Sequence, residues 1–310
     1  MKIFQKIGTL FGAILLASTL VLSSFNGAYA EELPDYRLQL SPARQDVGNL
    51  KPGETFTGTI KVQNTGKNPF NYRMSISPYT VIDEMYTQDY DQSNQYTDIV
   101  EWIEFSKETG SLEPNTQDEI TFTIKVPADV PAGGQYAILM AEIVNDENTN
   151  QSSGVAAIRR VGMLLYSNVY GSTRKTGSII ENKVPSILFN PPVTATSIVE
   201  NTGNTHATAQ YILQVYPLFG NEEVYTNEED PAELTILPET RRYNSVEWPN
   251  APHLGIFRVK QTVKIWDQTS TVEKIVFLCP IWFLFIILLL IFLVIFWIFT
   301  RVRNRHQERR

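Results

Sequence analysis

Between residues 55 and 64 the chain places Phe56, Ile60 and Val62 on one side and Thr57, Thr59 and Lys61 on the other. A period of two marks a half-buried strand. The same alternation runs through Phe70, Tyr72, Met74 and Ile76, and again through Ile120, Phe122, Ile124 and Val126. Lys51-Pro52-Gly53, Asn64-Thr65-Gly66 and Pro131-Ala132-Gly133-Gly134 punctuate these runs with turn chemistry. A hairpin is predicted from residues 136–144, through a polar connection at 145–154, to residues 155–169. The pattern then returns at residues 193–199, at Ala207, Ala209, Tyr211, Leu213 and Val215, and at Phe257, Val259, Val263 and Ile265. Outside the two ends of the chain no helical stripe stands out. Short alternating strands in units of roughly 100 residues predict an all-β protein of antiparallel immunoglobulin-like β-sandwiches.

Two such units are expected in tandem, because one order of signals occurs twice. Val62-Gln63-Asn64-Thr65-Gly66 returns as Val199-Glu200-Asn201-Thr202-Gly203. Downstream, Leu112-Glu113-Pro114 is matched by Leu237-Pro238, and Gly134-Gln135-Tyr136 by Gly255-Ile256-Phe257. A chance echo would not bring its neighbours along in order. The polar, glycine-flanked residues 171–178 place the boundary, giving domains over 31–172 and 173–272. In the repeated Asn-Thr-Gly, the asparagine is expected to bond nearby backbone and the glycine to supply a positive φ, ending a strand.

The termini read differently. Lys2 and Lys6 precede a nearly all-apolar stretch from Ile7 to Leu22, and Ala28-Tyr29-Ala30 supplies a cleavage pattern beyond it, together the signature of a signal peptide over residues 1–30. Residues 275–300 carry no charge and are long enough to span a bilayer as a helix. Arg301, Arg303, Arg305, Arg309 and Arg310 follow, so the positive-inside rule predicts a cytoplasmic tail at 301–310 and an ectodomain outside the plasma membrane.

The net charge of -7 conceals a split. Setting Lys2, Lys6 and the five tail arginines aside from the 26 basic residues, and Glu308 from the 33 acidic ones, leaves the ectodomain at about -13. That balance argues against nucleic acid as a partner. The single cysteine, Cys279, lies in the predicted span, so no disulfide joins either sandwich.

Catalytic chemistry finds little support. His206 and His253 are the ectodomain histidines, each beside a predicted turn and neither near a nucleophile-elbow pattern, so no enzyme activity is expected. Asp89-Tyr90-Asp91-Gln92-Ser93 opens like a calcium loop. Asn94 then stands where the turn glycine belongs and Val100 where the closing glutamate belongs, which leaves at most a weak calcium site. No cofactor is expected. Leu237-Pro238-Glu239-Thr240 imitates the start of a sortase signal, but Arg241 replaces its glycine and Pro238 aligns with the turn proline Pro114. Asn150-Gln151-Ser152 is a formal glycosylation triplet in a bacterial-looking chain. The densest aromatic segment is the polar loop bearing Tyr79, Tyr86, Tyr90, Tyr96 and Trp102, which is expected to form a recognition surface.

Leu40-Ser41-Pro42-Ala43-Arg44, Pro52-Gly53-Glu54-Thr55, Val62-x-Asn64-Thr65, Val126-Pro127 and Gly133-Gly134-Gln135-Tyr136 carry a family likeness. Through them the first unit resembles the leading domain of WxL-interacting cell-surface proteins. That family's layout is similar throughout: signal peptide, peptidoglycan-binding-like β domain, a second immunoglobulin-like domain, one span and a basic tail. The resemblance implies a membrane-tethered adaptor that contacts peptidoglycan or a WxL-type surface protein. A structural subunit of a secretion or pilus-like assembly, pairing strands through its sandwich edges, is the alternative expectation.

Overall fold

A computed structural model describes residues 35–144 and 159–307. The predicted signal peptide, the Asn150 triplet and the last three residues lie outside these. The first sandwich contains β1 (Leu38–Ser41), β2 (Arg44–Leu50), β3 (Thr55–Asn64), β4 (Phe70–Pro78), β5 (Thr80–Val81), β6 (Gln88–Asp89), β7 (Ile103–Phe105), β8 (Thr109–Leu112), β9 (Gln117–Lys125), β10 (Gly133–Val144) and β11 (Arg160–Val169). The second contains β12 (Gly177–Lys183), β13 (Ile187–Leu188), β14 (Val193–Asn201), β15 (Ala207–Pro217), β16 (Tyr225–Thr226), β17 (Ala232–Ile236), β18 (Thr240–Trp248), β19 (Gly255–Ile265) and β20 (Gln268–Leu278). Helix α1 (Ile281–Gln307) follows.

Alternation decides which side chains meet. Ile120, Phe122 and Ile124 of β9 join Ile60 and Val62 of β3 in a core closed from the other sheet by Tyr72, Leu139 and Leu165. In the second sandwich Val193, Ala195 and Val199 of β14 face Tyr211, Leu213, Val259 and Val263. The sheets run β1-β3-β9-β7 over β2-β11-β10-β4-β8, then β12-β14-β18 over β13-β20-β19-β15, with β16 and β17 on β15. Pairing is antiparallel except at two edges, where β2 lies parallel to β11 and β13 parallel to β20. In both units the leading segment pairs with one sheet (β1 on β3, β12 on β14) and then crosses to the other. Each leading segment thereby covers an edge of both its sheets.

The repeated Asn-Thr-Gly does the same work twice. Asn64 Nδ2 donates to the carbonyls of Asn68 (2.9 Å) and Leu112 (3.2 Å), while its Oδ1 accepts from Gly66 N (2.9 Å). Asn201 Nδ2 donates to Thr205 O (2.8 Å) and Ile236 O (3.0 Å), and its Oδ1 accepts from Gly203 N (3.0 Å). Both asparagines are buried, so each ties its own turn to a strand end some way along the chain. The glycines differ from expectation, because neither Gly66 nor Gly203 has a positive φ. They are needed for close approach instead: a Cβ at Gly66 would run into the carbonyl of Asp35, and one at Gly203 into that of Arg174. The positive φ falls further on, at Asn115 (60°) and Glu239 (57°), after Pro114 and Pro238. There Thr116 Oγ1 donates to Glu113 O (2.7 Å) and Thr240 Oγ1 to Leu237 O (2.8 Å). Leu237-Pro238-Glu239-Thr240 is thus a folded turn with Leu237 buried.

The charge-free run also divides. Residues 275–278 finish β20, pairing with residues 255–258 of β19, and Val276 and Leu278 are buried in the second core. The second sandwich therefore extends to Leu278 rather than 272, and the helix begins at Ile281 rather than 275. Cys279 and Pro280 alone separate them, with Cys279 N held by Leu188 O at 3.0 Å. Ile281–Phe299 is apolar and 19 residues long. That is ~28 Å at helical rise, close to the ~30 Å of a hydrocarbon core.

Replacing Asn64 or Asn201 with alanine strands two buried carbonyls and an N–H, at about 1–3 kcal/mol for each group left unpaired. Each variant should lose about 3 kcal/mol or more in urea unfolding of the detergent-solubilised chain followed by circular dichroism. A loss below about 1 kcal/mol would show that water replaces the clamp.

Candidate functional site

The two sandwiches meet around β10. Its residues Ala137, Leu139 and Ala141 face the first core. Tyr136, on the opposite face, is fully buried in a second cluster with Tyr79, Tyr166 and Leu237. Tyr136 and Tyr166 are register partners on β10 and β11, with ring centroids 5.5 Å apart and nearly perpendicular. Gly134 makes room for this, since a side chain there would collide with the Tyr136 hydroxyl. From the second sandwich, His206 follows the repeated turn and enters the same cluster, 5.7 Å from the Tyr136 ring and 5.5 Å from that of Tyr166.

Polar groups frame these rings. The Tyr136 hydroxyl and His206 Nδ1 lie 3.2 Å apart, and His206 Nε2 lies 3.5 Å from Asp46 of β2. Two residues before Asp46, Arg44 sets its guanidinium 4.2 Å above the Tyr166 ring and donates to Thr235 Oγ1 at 3.0 Å. On the other flank, the β5–β6 hairpin reaches β18: Tyr243 N donates to Glu84 O (2.6 Å), and Arg242 covers the Tyr86 ring at 4.1 Å. Asn204 binds both units. Its carbonyl accepts from Gly134 N (2.7 Å), its Nδ2 donates to Ala132 O (3.0 Å), and its Oδ1 accepts from Arg174 N (2.6 Å).

The five aromatics expected to form an outward recognition surface are divided by the fold. Tyr79 is buried against Tyr166, 6.1 Å between rings. Tyr86 adopts φ 66° at the hairpin, and its hydroxyl accepts from Leu237 N and lies 3.4 Å from Thr240 Oγ1. Tyr90 and Tyr96 are half-buried at the margin of the same cluster. Trp102 is not with them, since it packs in the first sandwich core. The expected open surface is therefore corrected for Tyr79 and Trp102, whose rings were drawn inward by the free energy of removing large apolar area from water. Asp89 turns its carboxylate to the N–H groups of Asp91 (2.9 Å) and Gln92 (3.3 Å), and among the described residues no group of His, Cys, Asp or Glu is gathered to hold a metal.

Tyr166 and Arg242 were not singled out from sequence, and Tyr136, Arg44 and His206 were noted there for a repeat, a family likeness and catalysis rather than for a joint, although the run from Tyr136 to Ala141 carries a signal. It is apolar without alternation, as in a strand covered on both faces. Asp46, His206 and Tyr136 follow one another like a proton relay. Burial, however, pushes the phenols of Tyr136 and Tyr166 far above their ordinary range, and Tyr136 has no exposed surface. Burial likewise drives Tyr86 up to about 12. His206 is held below its ordinary 6.5 by burial, an effect that Arg44 reinforces and Asp46 opposes. His206 bridges Tyr136 of the first sandwich and Asp46 beside it, tying the second sandwich to the first.

At the margins the joint stays open. One cleft of about 210 Å³ is lined by Gln95, Tyr96, Arg174, Asn204 and Glu239, and Arg174 and Glu239 approach to 3.9 Å. Tyr96 is pushed up to about 12 by partial burial and then by the Glu239 carboxylate beside it. A second cleft, about 280 Å³, is lined by Ile82, Glu84, Glu200 and Arg241.

No protein-family model matches the chain, and no curated protein matches it. Among solved structures it is similar to the class 5 fimbriae chaperone CfaA, at 13% identity and a TM-score of 0.39, covering 77% of this chain and 99% of that one. The E. coli chaperone DraB is similar at 11% identity and 0.36, covering 77% and 97%. A PapD-like domain of human CEP192 is similar at 14% identity and 0.31, covering 45% and 89%.

Because folding disfavours protonated His206, its contribution to stability is complete above 6.5 and is lost as pH falls from there through the lowered folded value. The melting temperature in circular dichroism should fall between about pH 7.5 and about pH 5.5. His206→Asn should flatten that slope, and an unchanged slope would move the titration to another group.

Proposed function

We propose that this chain is a non-enzymatic, membrane-anchored binding protein of the bacterial cell surface, in which the first sandwich, together with the margin it shares with the second, captures peptidoglycan or a WxL-type protein and the second fixes its distance from the bilayer. The observation that carries the reading is the continuous path from joint to helix. The sandwiches are locked through buried rings, and β20 passes into α1 across two residues. Every large apolar side chain of the helix from Leu284 to Phe299 is exposed, a surface that a water-soluble protein does not maintain. With the arginine-rich tail inside, both sandwiches stand outside.

The cleft beside Tyr96 is where a ligand reaches the predicted aromatic loop. It offers an aromatic edge flanked by a guanidinium, an amide and a carboxylate. Such a mixture suits a hydroxyl-rich glycan better than an apolar ligand. Anchoring raises the local concentration of such a site at the wall, so each contact can be weak.

Cosedimentation of the detergent-solubilised chain with insoluble peptidoglycan tests the reading. The wild type should pellet with the polymer, and Tyr96→Ala and Glu239→Gln should each weaken binding several-fold while the chain stays folded at the assay temperature, Glu239→Gln with no loss of melting temperature. Absence of wild-type binding, together with no crosslinked partner at the cell surface, would overturn it.

A further inference from the structure

The outer face of the second sandwich changes character toward the helix. On β20, Thr271 and Glu273 face outward first, then Ile275 and Phe277. On the paired β19 the outward residues are Lys260 and Arg258, and then Ile256. Ile187 of β13, Phe277 and Ile256 are register partners across three adjacent strands, and they remain 59%, 45% and 40% exposed. Phe189 and Leu254, in the loops next to these strands, are 44% and 48% exposed. Phe219 is 87% exposed in the loop after β15, at the same end, and Arg258 Nη2 pins that loop by donating to Gly220 O at 2.7 Å. A belt-like cluster of exposed apolar residues at one end of a domain marks a contact surface.

The position of the belt identifies its occupant. Phe277 precedes Ile281 by four residues, at most ~13 Å of extended chain. The link is not slack, because Cys279 N is bonded to Leu188 O and Phe283 N to Pro280 O at 2.9 Å. Trp282, a residue favoured at membrane–water boundaries, opens the helix and is 59% exposed. Resting on the reading that α1 spans the bilayer, we propose that the belt formed by Ile187, Phe189, Phe219, Leu254, Ile256 and Phe277 seats the second sandwich on the outer leaflet. The contact is made by apolar insertion, since beside the belt Arg258 is paired with Glu273 at 3.6 Å and Glu222 and Glu223 offset further attraction to anionic headgroups.

Spin-label depth measurements on the full chain in phosphatidylcholine nanodiscs test this. In a Cys279→Ser background, nitroxides are placed by Phe219→Cys and Phe277→Cys, with Met85→Cys and Phe292→Cys as references. Power saturation then compares access to oxygen, which concentrates in lipid, with access to a water-soluble nickel chelate. The oxygen-to-nickel ratio at 219 and 277 should exceed that at 85 several-fold, with 292 deeper still. If 219 and 277 match 85 while 292 is deep, the span stands and the seating is overturned. Labels at 219 and 277 closed to both reagents would place protein, such as a second copy, on the belt and overturn it as well. A nickel-accessible label at 292 would remove the spanning helix itself.

Discussion

Strand β10 has to be covered on both faces, and the arrangement of the two sandwiches follows from that. One face closes the first sandwich core through Ala137, Leu139 and Ala141. The other carries Tyr136, whose hydroxyl finds its partner only in the second sandwich, at His206. A phenol of that size left facing water would forgo the burial of its ring, and one buried without a partner would lose a hydrogen bond. Docking the second sandwich satisfies both demands. Arg44 and Arg242 then lie over the rings of Tyr166 and Tyr86, so the flanks of the joint keep their charges near water while covering aromatic surface.

The strands were legible because one face of each meets water and the other a core, which writes period two into Ile120, Phe122 and Ile124 with threonines between. The duplication was legible because the same buried asparagine clamp closes a turn in each unit. The joint was not, since its contacts link residues as far apart as Arg44 and Thr235, 191 positions along the chain. Aromatic density in the 79–102 loop was a true signal with two readings, exposure for binding or burial between domains, and composition cannot choose between them. The start of the helix was hidden for a related reason. Ile275, Val276, Phe277 and Leu278 are all apolar, so neither alternation nor charge separates a strand end from the span beyond it.

These features divide the molecule into a rigid pair of sandwiches and an apolar helix with almost no slack between them. The first sandwich cannot change its orientation relative to the second without disturbing buried rings and the hydrogen bonds of Asn204. Binding energy at a margin cleft would therefore not be spent on ordering two loosely linked domains.

Asn204 shows how far this coupling goes. It belongs to the repeated turn that helps close the second sandwich, yet its carbonyl and side-chain amide serve Gly134 and Ala132 of the first. In the first copy the corresponding residue, Lys67, only reaches back to Asp35 of its own unit. One copy of a duplicated turn has thus become shared property, and separating the sandwiches removes bonds from the fold of the second. The pair is thermodynamically one cooperative unit: heat or denaturant should meet a single transition across both sandwiches instead of two independent ones.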